Sequence, residues 1–309
     1  MAPRYLAVER ILSGVGPRRA GNASRVTVLE NSGVIVRELT RYGRVPSSRI
    51  TVMPNFVDVD KFRPPSETER ATTKARLGVA SQHPVIVFPA WQGLAKGHVT
   101  FLYALAKARR EGALRNAVVL FAGRVRDKLA GSVIPRVIRR LGLGDIVRPL
   151  GAGSDMPARR AAADWAVLPS WWEGGAPPMA VIEALACGVP TIVSHAADGD
   201  ERLSRAGVGL VVPTMRVNPL AAAFSRVDTM SEDERVVVGA RGRKWVEANA
   251  SPEVVLDKLM GVYRAAVGKT EAEACAESLR LCASARGSDS DLAQSRKGAE
   301  EAVEGAGAG

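Results

Sequence analysis

Residues 165–194 leave this chain few choices of fold. The apolar run Trp165-Ala166-Val167-Leu168 stops at Pro169 and reads as a buried strand. A glycine-rich loop carrying Glu173 follows, and then a helical period over 178–187 that holds Glu183. Gly188 and Pro190 close that helix, one by favouring the left-handed turn after a helix and the other by being unable to continue it. Thr191-Ile192-Val193 starts a second apolar strand. Strand, loop, helix and strand in so short a span make a parallel unit with two carboxylates near its loop. Open sheets built of such units bind nucleotides in the crevice outside the carboxyl ends of their strands.

The same alternation extends from Pro84 onward. Apolar runs at 85–88, 117–122, 146–148, 165–168, 191–193 and 209–212 read as strands. Helical periods lie between them at 98–110, 134–141, 157–163, 178–187 and 200–205. Strands alternating with helices in this way predict an α/β, Rossmann-like doubly wound parallel sheet. Three further helical periods follow, at 219–230, 232–249 and 252–267, the last with Ser251 as N-cap and Pro252 at the first helical position. Upstream, 24–29 and 50–53 read as short strands and 32–42 as an amphipathic helix, while 1–22 has no clear period. Residues 269–309 contain no aromatic side chain and are rich in Ala, Glu, Ser and Gly, which predicts a disordered tail.

Composition narrows the partners. The first 150 residues hold 26 Lys or Arg against 10 Asp or Glu, a net of +16; the remaining 159 hold 17 against 22, a net of −5, and the two add to the chain's +11. A basic half suits an anionic partner such as a diphosphate or an anionic membrane surface, although Arg-rich composition of this kind also occurs without one. Nucleic acid is not expected, because aromatic interleaving, zinc knuckles and a recognition helix are all missing from the pattern. Cys187, Cys275 and Cys282 have neither metal-ligand spacing nor an even count, and no His, Cys or carboxylate cluster predicts a metal. This usage fits a reducing cytoplasm, and no stretch approaches the roughly 20 apolar residues of a membrane span.

The segment PSWWEGGAPPMAVIEALACGVPTIVS (169–194) resembles the nucleotide-sugar signature of the group 1 (family 4) retaining glycosyltransferases, which have the two-domain GT-B fold. Pro54-Asn55-Phe56-Val57-Asp58 resembles the family's connection between the two domains, with Phe56 where glycine is usual. The resemblance covers about 23–268 and falls mainly on the C-terminal, donor-binding domain. It implies that 50–268 is that domain, that 1–49 is the end of an N-terminal GT-B domain that is largely missing, and that 269–309 is tail.

The resemblance also distributes roles. Glu183 takes the place of the glutamate that accepts hydrogen bonds from the ribose hydroxyls. Glu173 takes that of the one touching the donor sugar, with nine residues between the two where the family has seven. Lys96, in the stretch FPAWQGLAKG, matches the lysine that neutralises the leaving diphosphate, and Trp91 stands where an arginine is usual. Gly174 and Gly175 would let backbone amides approach a ligand. Arg124 and Arg148, at two more strand ends, match loops that contact the nucleobase largely through backbone atoms, and Arg148 reads as positional rather than specific. His195 and Glu201 border a further loop, with structural roles the more ordinary reading for both. The expected activity is hexosyl transfer from a nucleotide diphosphate sugar to a glycan or lipid-linked acceptor, with retention and with no cofactor. The competing reading is a non-catalytic nucleotide-sugar-binding module or a truncated fragment that needs a partner acceptor-domain subunit; self-association is a further expectation. Residues 50–215 are expected to form one parallel sheet that brings Lys96, Glu173, Glu183 and Gly174 to a common crevice at its carboxyl edge. The location implied is the cytoplasm, peripherally at the inner face of the membrane.

Overall fold

The computed structural model describes residues 28–267 apart from 44, 152 and 154. The readings of 1–22 and of 269–309, including Cys275 and Cys282, fall outside the described residues. The chain divides into a unit ending at Leu256 and a second beginning at Asp257. The described part of the second unit is the later portion of one helix.

Six strands form a wholly parallel sheet: β3 (Val85–Phe88), β4 (Val118–Phe121), β5 (Val147–Pro149), β6 (Trp165–Leu168), β7 (Thr191–Ser194) and β8 (Gly209–Val212), in the spatial order β5-β4-β3-β6-β7-β8. Every side chain of β3, β4, β6 and β7 is buried, as their unbroken apolar runs require of strands covered on both faces. Burial of each Val, Ile or Phe among them contributes about 2 kcal/mol.

Helices α3 (His98–Arg110) and α4 (Lys128–Arg140) follow β3 and β4, and α8 (Val217–Asp228) packs along α3. Phe88 of β3, Phe101 of α3, Phe121 of β4 and Phe224 of α8 meet edge to face with ring centroids 5.3–5.8 Å apart, locking this layer to the sheet. A second group of helices packs together separately. It comprises α2 (Glu67–Arg76), α5 (Met156–Ala161), α6 (Met179–Ala186) and α9 (Glu232–Asn249). Right-handed crossovers put α5 and α6 on the opposite face of the sheet from α3 and α4, and α2 and α9 pack against them. The short α7 (Arg202–Ala206) leads into β8, and α10 (Pro252–Val267) is the last described helix.

Strand Ile50–Val52 (β2) does not join this sheet. It pairs in parallel with Val28–Glu30 (β1), the two being joined through α1 (Gly33–Arg41). The expectation of one sheet from residue 50 onward is corrected accordingly: the six-stranded sheet starts at Val85. The α2 helix, ETERATTKAR, was absent from the sequence reading because it has almost no apolar face, burying only Thr73 and Lys74. Its start was nonetheless written in the capping box of Ser66 and Glu69.

One arginine fastens the segment after β2 to the rest. Arg243 of α9 donates through Nη1 to the carbonyls of Val59, Phe62 and Ala186 at 2.9, 2.7 and 2.9 Å. At the amino edge of the sheet the buried Asp164 accepts from the Val85 amide at 2.8 Å and from Arg70 at 2.5 Å, with Lys74 and Arg235 at 3.6 and 3.5 Å. Among the described residues, no helix is long and apolar enough to cross a membrane.

Candidate functional site

The order β5-β4-β3-β6-β7-β8 reverses direction between β3 and β6, since β4 and β5 lie to one side and β7 and β8 to the other. Loops leaving adjacent strands at such a point diverge onto opposite faces, and the gap between them is where open α/β sheets bind ligands. The two loops here are 89–97 after β3 and 169–178 after β6.

They are tightly joined. The Trp171 amide donates to the Ala95 carbonyl at 2.8 Å, and Ser194 Oγ at the end of β7 donates to the Ser170 carbonyl at 2.6 Å. Lys96 ends a single 3-10 turn, and Gly97 then takes φ +83° so that α3 can start at His98. A Cβ on Gly97 would lie 2.1 Å from the Pro169 carbonyl oxygen, so only glycine permits this approach.

The charged centre of the site spans the two loops. Lys96 Nζ donates to Glu173 Oε1 at 2.5 Å, and Ser170 Oγ donates to the same oxygen at 2.6 Å. The side chains of Lys96 and Glu173 are 16% and 10% exposed, so water screens the pair only weakly. Trp91 lies beside it, its ring centroid 5.6 Å from Lys96 Nζ, which adds a cation–π contact. The tryptophan in the place of the family's arginine is thus a wall for the lysine rather than a second cation.

Gly174 and Gly175 have φ of +68° and +87°. The lack of a side chain at Gly175, and the carbonyl of Gly174, serve contact with α1. The Gly174 carbonyl accepts from Ser32 Oγ at 2.8 Å, and a Cβ on Gly175 would meet Val34 Cγ2 at 2.4 Å. Asp200 completes this junction, accepting from the amides of Gly33 and Val34 at 2.7 and 3.0 Å and so supplying an anion to the positive end of α1. Asn55 Nδ2, in the connecting segment, donates to the Pro177 carbonyl at 3.1 Å.

Glu183 is not in the Lys96–Glu173 pair. It stands on α6, where Arg160 of α5 meets its Oε2 at 2.5 Å. Burial pushes the Glu183 carboxyl up, and the Arg160 guanidinium opposes that shift. Arg160 lies 5.6 Å above the Phe62 ring and is itself buried. The sequence reading missed Arg160, since an Arg-Arg pair on a short helix looks like a solvated face. Cys187, one turn after Glu183, is buried as plain packing, and desolvation raises its thiol to about 12.

Arg124 follows β4 and has an exposed side chain; its carbonyl accepts from the Gln92 amide at 2.9 Å, lacing its loop to the one that holds Lys96. Arg148 takes a positional role. Its guanidinium turns back from β5 to donate to the carbonyls of Leu77 and Gly78 at 2.9 and 3.0 Å, capping the end of α2 instead of facing the ligand gap. Glu201 is exposed and pairs with Arg205 at 2.7 Å, and His195 is exposed at the end of β7. Among the described residues no group of three or more His, Cys, Asp or Glu is placed to hold a metal ion.

Residues 83–229 match the family model described as glycosyl transferases group 1. A GDP-mannose-dependent alpha-(1-6)-phosphatidylinositol monomannoside mannosyltransferase of Mycobacterium tuberculosis is 28% identical over 259 residues, covering 80% of this chain and 63% of that protein. The chain therefore spans about three-fifths of that relative's length. A glycosyltransferase structure from Rickettsia africae superposes with a TM-score of 0.72 at 19% identity, covering 80% of this chain and 65% of the other. The C-terminal domain of a group 1 family protein (LpcC) from Francisella tularensis superposes with a TM-score of 0.55 at 18% identity over 63% of this chain and 99% of its own length. At these identities the two structures speak for the fold alone.

Proposed function

The chain belongs to the group 1 (family 4) glycosyltransferases of GT-B fold, matching mainly their C-terminal region, and from that we propose that it binds a nucleotide diphosphate sugar between the loops after β3 and β6. We assign 50–268 to donor binding and 1–49 to the end of an acceptor-side domain. The observation that carries the reading is the Lys96–Glu173 pair, which sets a cation and an anion together at the point where the strand order reverses.

In the proposed reaction a hexosyl group passes with retention to the hydroxyl of a glycan or lipid-linked acceptor. The bond from the anomeric carbon to the diphosphate breaks and the bond to the acceptor oxygen forms on the same face. The acceptor proton goes to the departing phosphate. Lys96 would balance the charge that develops on that phosphate, drawing away from Glu173, which then turns to the sugar hydroxyls. Glu183, oriented by Arg160, would take the ribose hydroxyls, and Gly174, Gly175 and Arg124 would border the nucleotide. GDP-mannose, the donor named for the mycobacterial relative, is the first to try.

A second reading is a donor-binding module or fragment whose acceptor site is supplied by a further domain or polypeptide. It is favoured by β1 and β2, a two-stranded parallel sheet whose residues are only half-buried or exposed, where parallel sheets are ordinarily covered on both faces. Calorimetric titration with GDP-mannose and with UDP-glucose tests the donor site in either case. Lys96→Ala and Glu183→Ala should each weaken binding about 10-fold or more, the worth of a charged hydrogen bond. Undiminished affinity in both variants would refute the assigned roles.

A further inference from the structure

The outer face of α4 carries charge that, Arg124 of its leading loop apart, the donor site does not use. Lys128, Arg136, Arg139 and Arg140 are all exposed there, and Arg124 and Arg126 are exposed in the loop that leads into the helix. None of the six has a carboxylate partner among the described residues, although arginines elsewhere, such as Arg63, Arg109, Arg205 and Arg243, are paired. The one acidic residue in this stretch, Asp127, is occupied as the N-cap, accepting from the Leu129 amide at 2.9 Å. The inner face of α4 is committed to the core through Ala130, Ile134, Val137 and Ile138.

Two apolar side chains stand among these cations. Val125 and Leu129 are 51% and 57% exposed. They cluster at the start of the helix, where Val125 bridges to Gln92 of the loop that holds Lys96. A basic face with protruding aliphatic groups suits a lipid surface: the cations meet anionic headgroups and the aliphatic groups enter the boundary beneath them. Single-stranded nucleic acid is less well matched, because 124–140 has no aromatic side chain on which a base could stack.

We propose that the outer face of α4, with its leading loop, docks the protein on an anionic lipid bilayer, Val125 and Leu129 entering the headgroup layer beside the donor loop. Such docking would hold the mouth of the site at the membrane, where a lipid-linked acceptor resides. Docking needs neither donor nor catalysis, so its failure and the failure of the donor reading are separable.

The test is co-sedimentation of the full chain with vesicles of phosphatidylcholine, with and without phosphatidylglycerol. Binding should require the anionic lipid and weaken with salt. Each basic residue near an anionic surface strengthens partition about five-fold, so Arg136→Glu, Arg139→Glu and Arg140→Glu together should weaken it about 100-fold or more. Leu129→Ser should weaken it by a smaller factor that persists at high salt. The control reverses three exposed cations elsewhere, Arg76, Arg226 and Lys244, for the same change in net charge, and it should bind almost as the parent does. All variants should keep the parent's circular dichroism and melting temperature, since the changed side chains are exposed. Equal loss in the control, or binding to neutral vesicles as strong as to anionic ones, overturns the proposal. So does vesicle binding that survives the triple reversal while binding to a nucleic-acid duplex is lost.

Discussion

The contact between Gly97 and Pro169 fixes the gap between the two loops, and replacing Gly97 by alanine should show how much depends on it. Two costs arise. At φ +83° an L residue loses about 1–2 kcal/mol relative to glycine. The new Cβ would also meet the Pro169 carbonyl oxygen at 2.1 Å and its carbon at 2.8 Å, and both belong to backbone that follows directly on β6. Relief requires moving that backbone, an overpacking cost of about 1–3 kcal/mol. The sum is about 2–5 kcal/mol, or a fall in melting temperature of roughly 5–15 °C for a chain of this size. Gly142→Ala isolates the first cost, because Gly142 has φ +64° and its Cβ would meet nothing within 4 Å. Differential scanning calorimetry of both variants, followed by donor titration of Gly97→Ala at a temperature where it is folded, separates stability from site geometry. The expected result is a larger fall for Gly97→Ala and a loss of donor affinity, because Lys96 and Glu173 are carried on the two segments forced apart. If the two variants melt together, or Gly97→Ala keeps full affinity, the close approach does not set the site.

Two further outcomes follow from buried titratable groups. His98 is enclosed by Phe88 and Phe121, and burial lowers it to about 4 from an ordinary 6.5. The unfolded chain therefore takes up a proton that the folded one refuses, and stability should fall as pH drops below 6.5, by about 3 kcal/mol at pH 4. His98→Phe should flatten that part of a melting-temperature profile between pH 7 and 4, and an unchanged slope would count against the burial argument. Arg160→Leu strands the Glu183 carboxylate and should cost about 3 kcal/mol at pH 8 in urea unfolding, as expected when one partner of a buried pair is removed. Adding Glu183→Gln should recover much of that loss, whereas strict additivity of the two changes would show that the pair is not coupled.

Elements with an apolar face were the legible ones. Trp165–Leu168 and His98–Arg110 have the bounds expected from sequence, because unbroken or periodic apolar residues there coincide with full burial. Strand β2 was seen but placed in the wrong sheet, since three residues of alternating type say nothing about which neighbour they pair with. The α4 helix begins six residues before its expected start at Ile134, its opening turns being masked by Gly131 and Ser132. Of the proposed site residues, Lys96 and Glu173 are singled out by the motifs they lie in, and the structure adds that they meet. Arg148 and Arg160 were illegible for one shared reason. A long side chain can reach in several directions from the same backbone position, and what fixes it is a partner far away in sequence: the Leu77 carbonyl in one case and Glu183 in the other.

The three carbonyls gathered by Arg243 bear on the order in which the polypeptide can settle. Val59 and Phe62 lie 184 and 181 positions before the arginine that holds them. At about 5–20 residues per second, that arginine leaves the ribosome roughly 10–40 s after the segment it must fasten. During this interval the stretch between β2 and α2 has its hydrophobic anchor, Phe62, but not its clasp. The late α9 helix thus closes an early seam, and a nascent chain arrested before residue 243 should expose 57–64 to protease while the strands from Val85 to Val212 have already been synthesised.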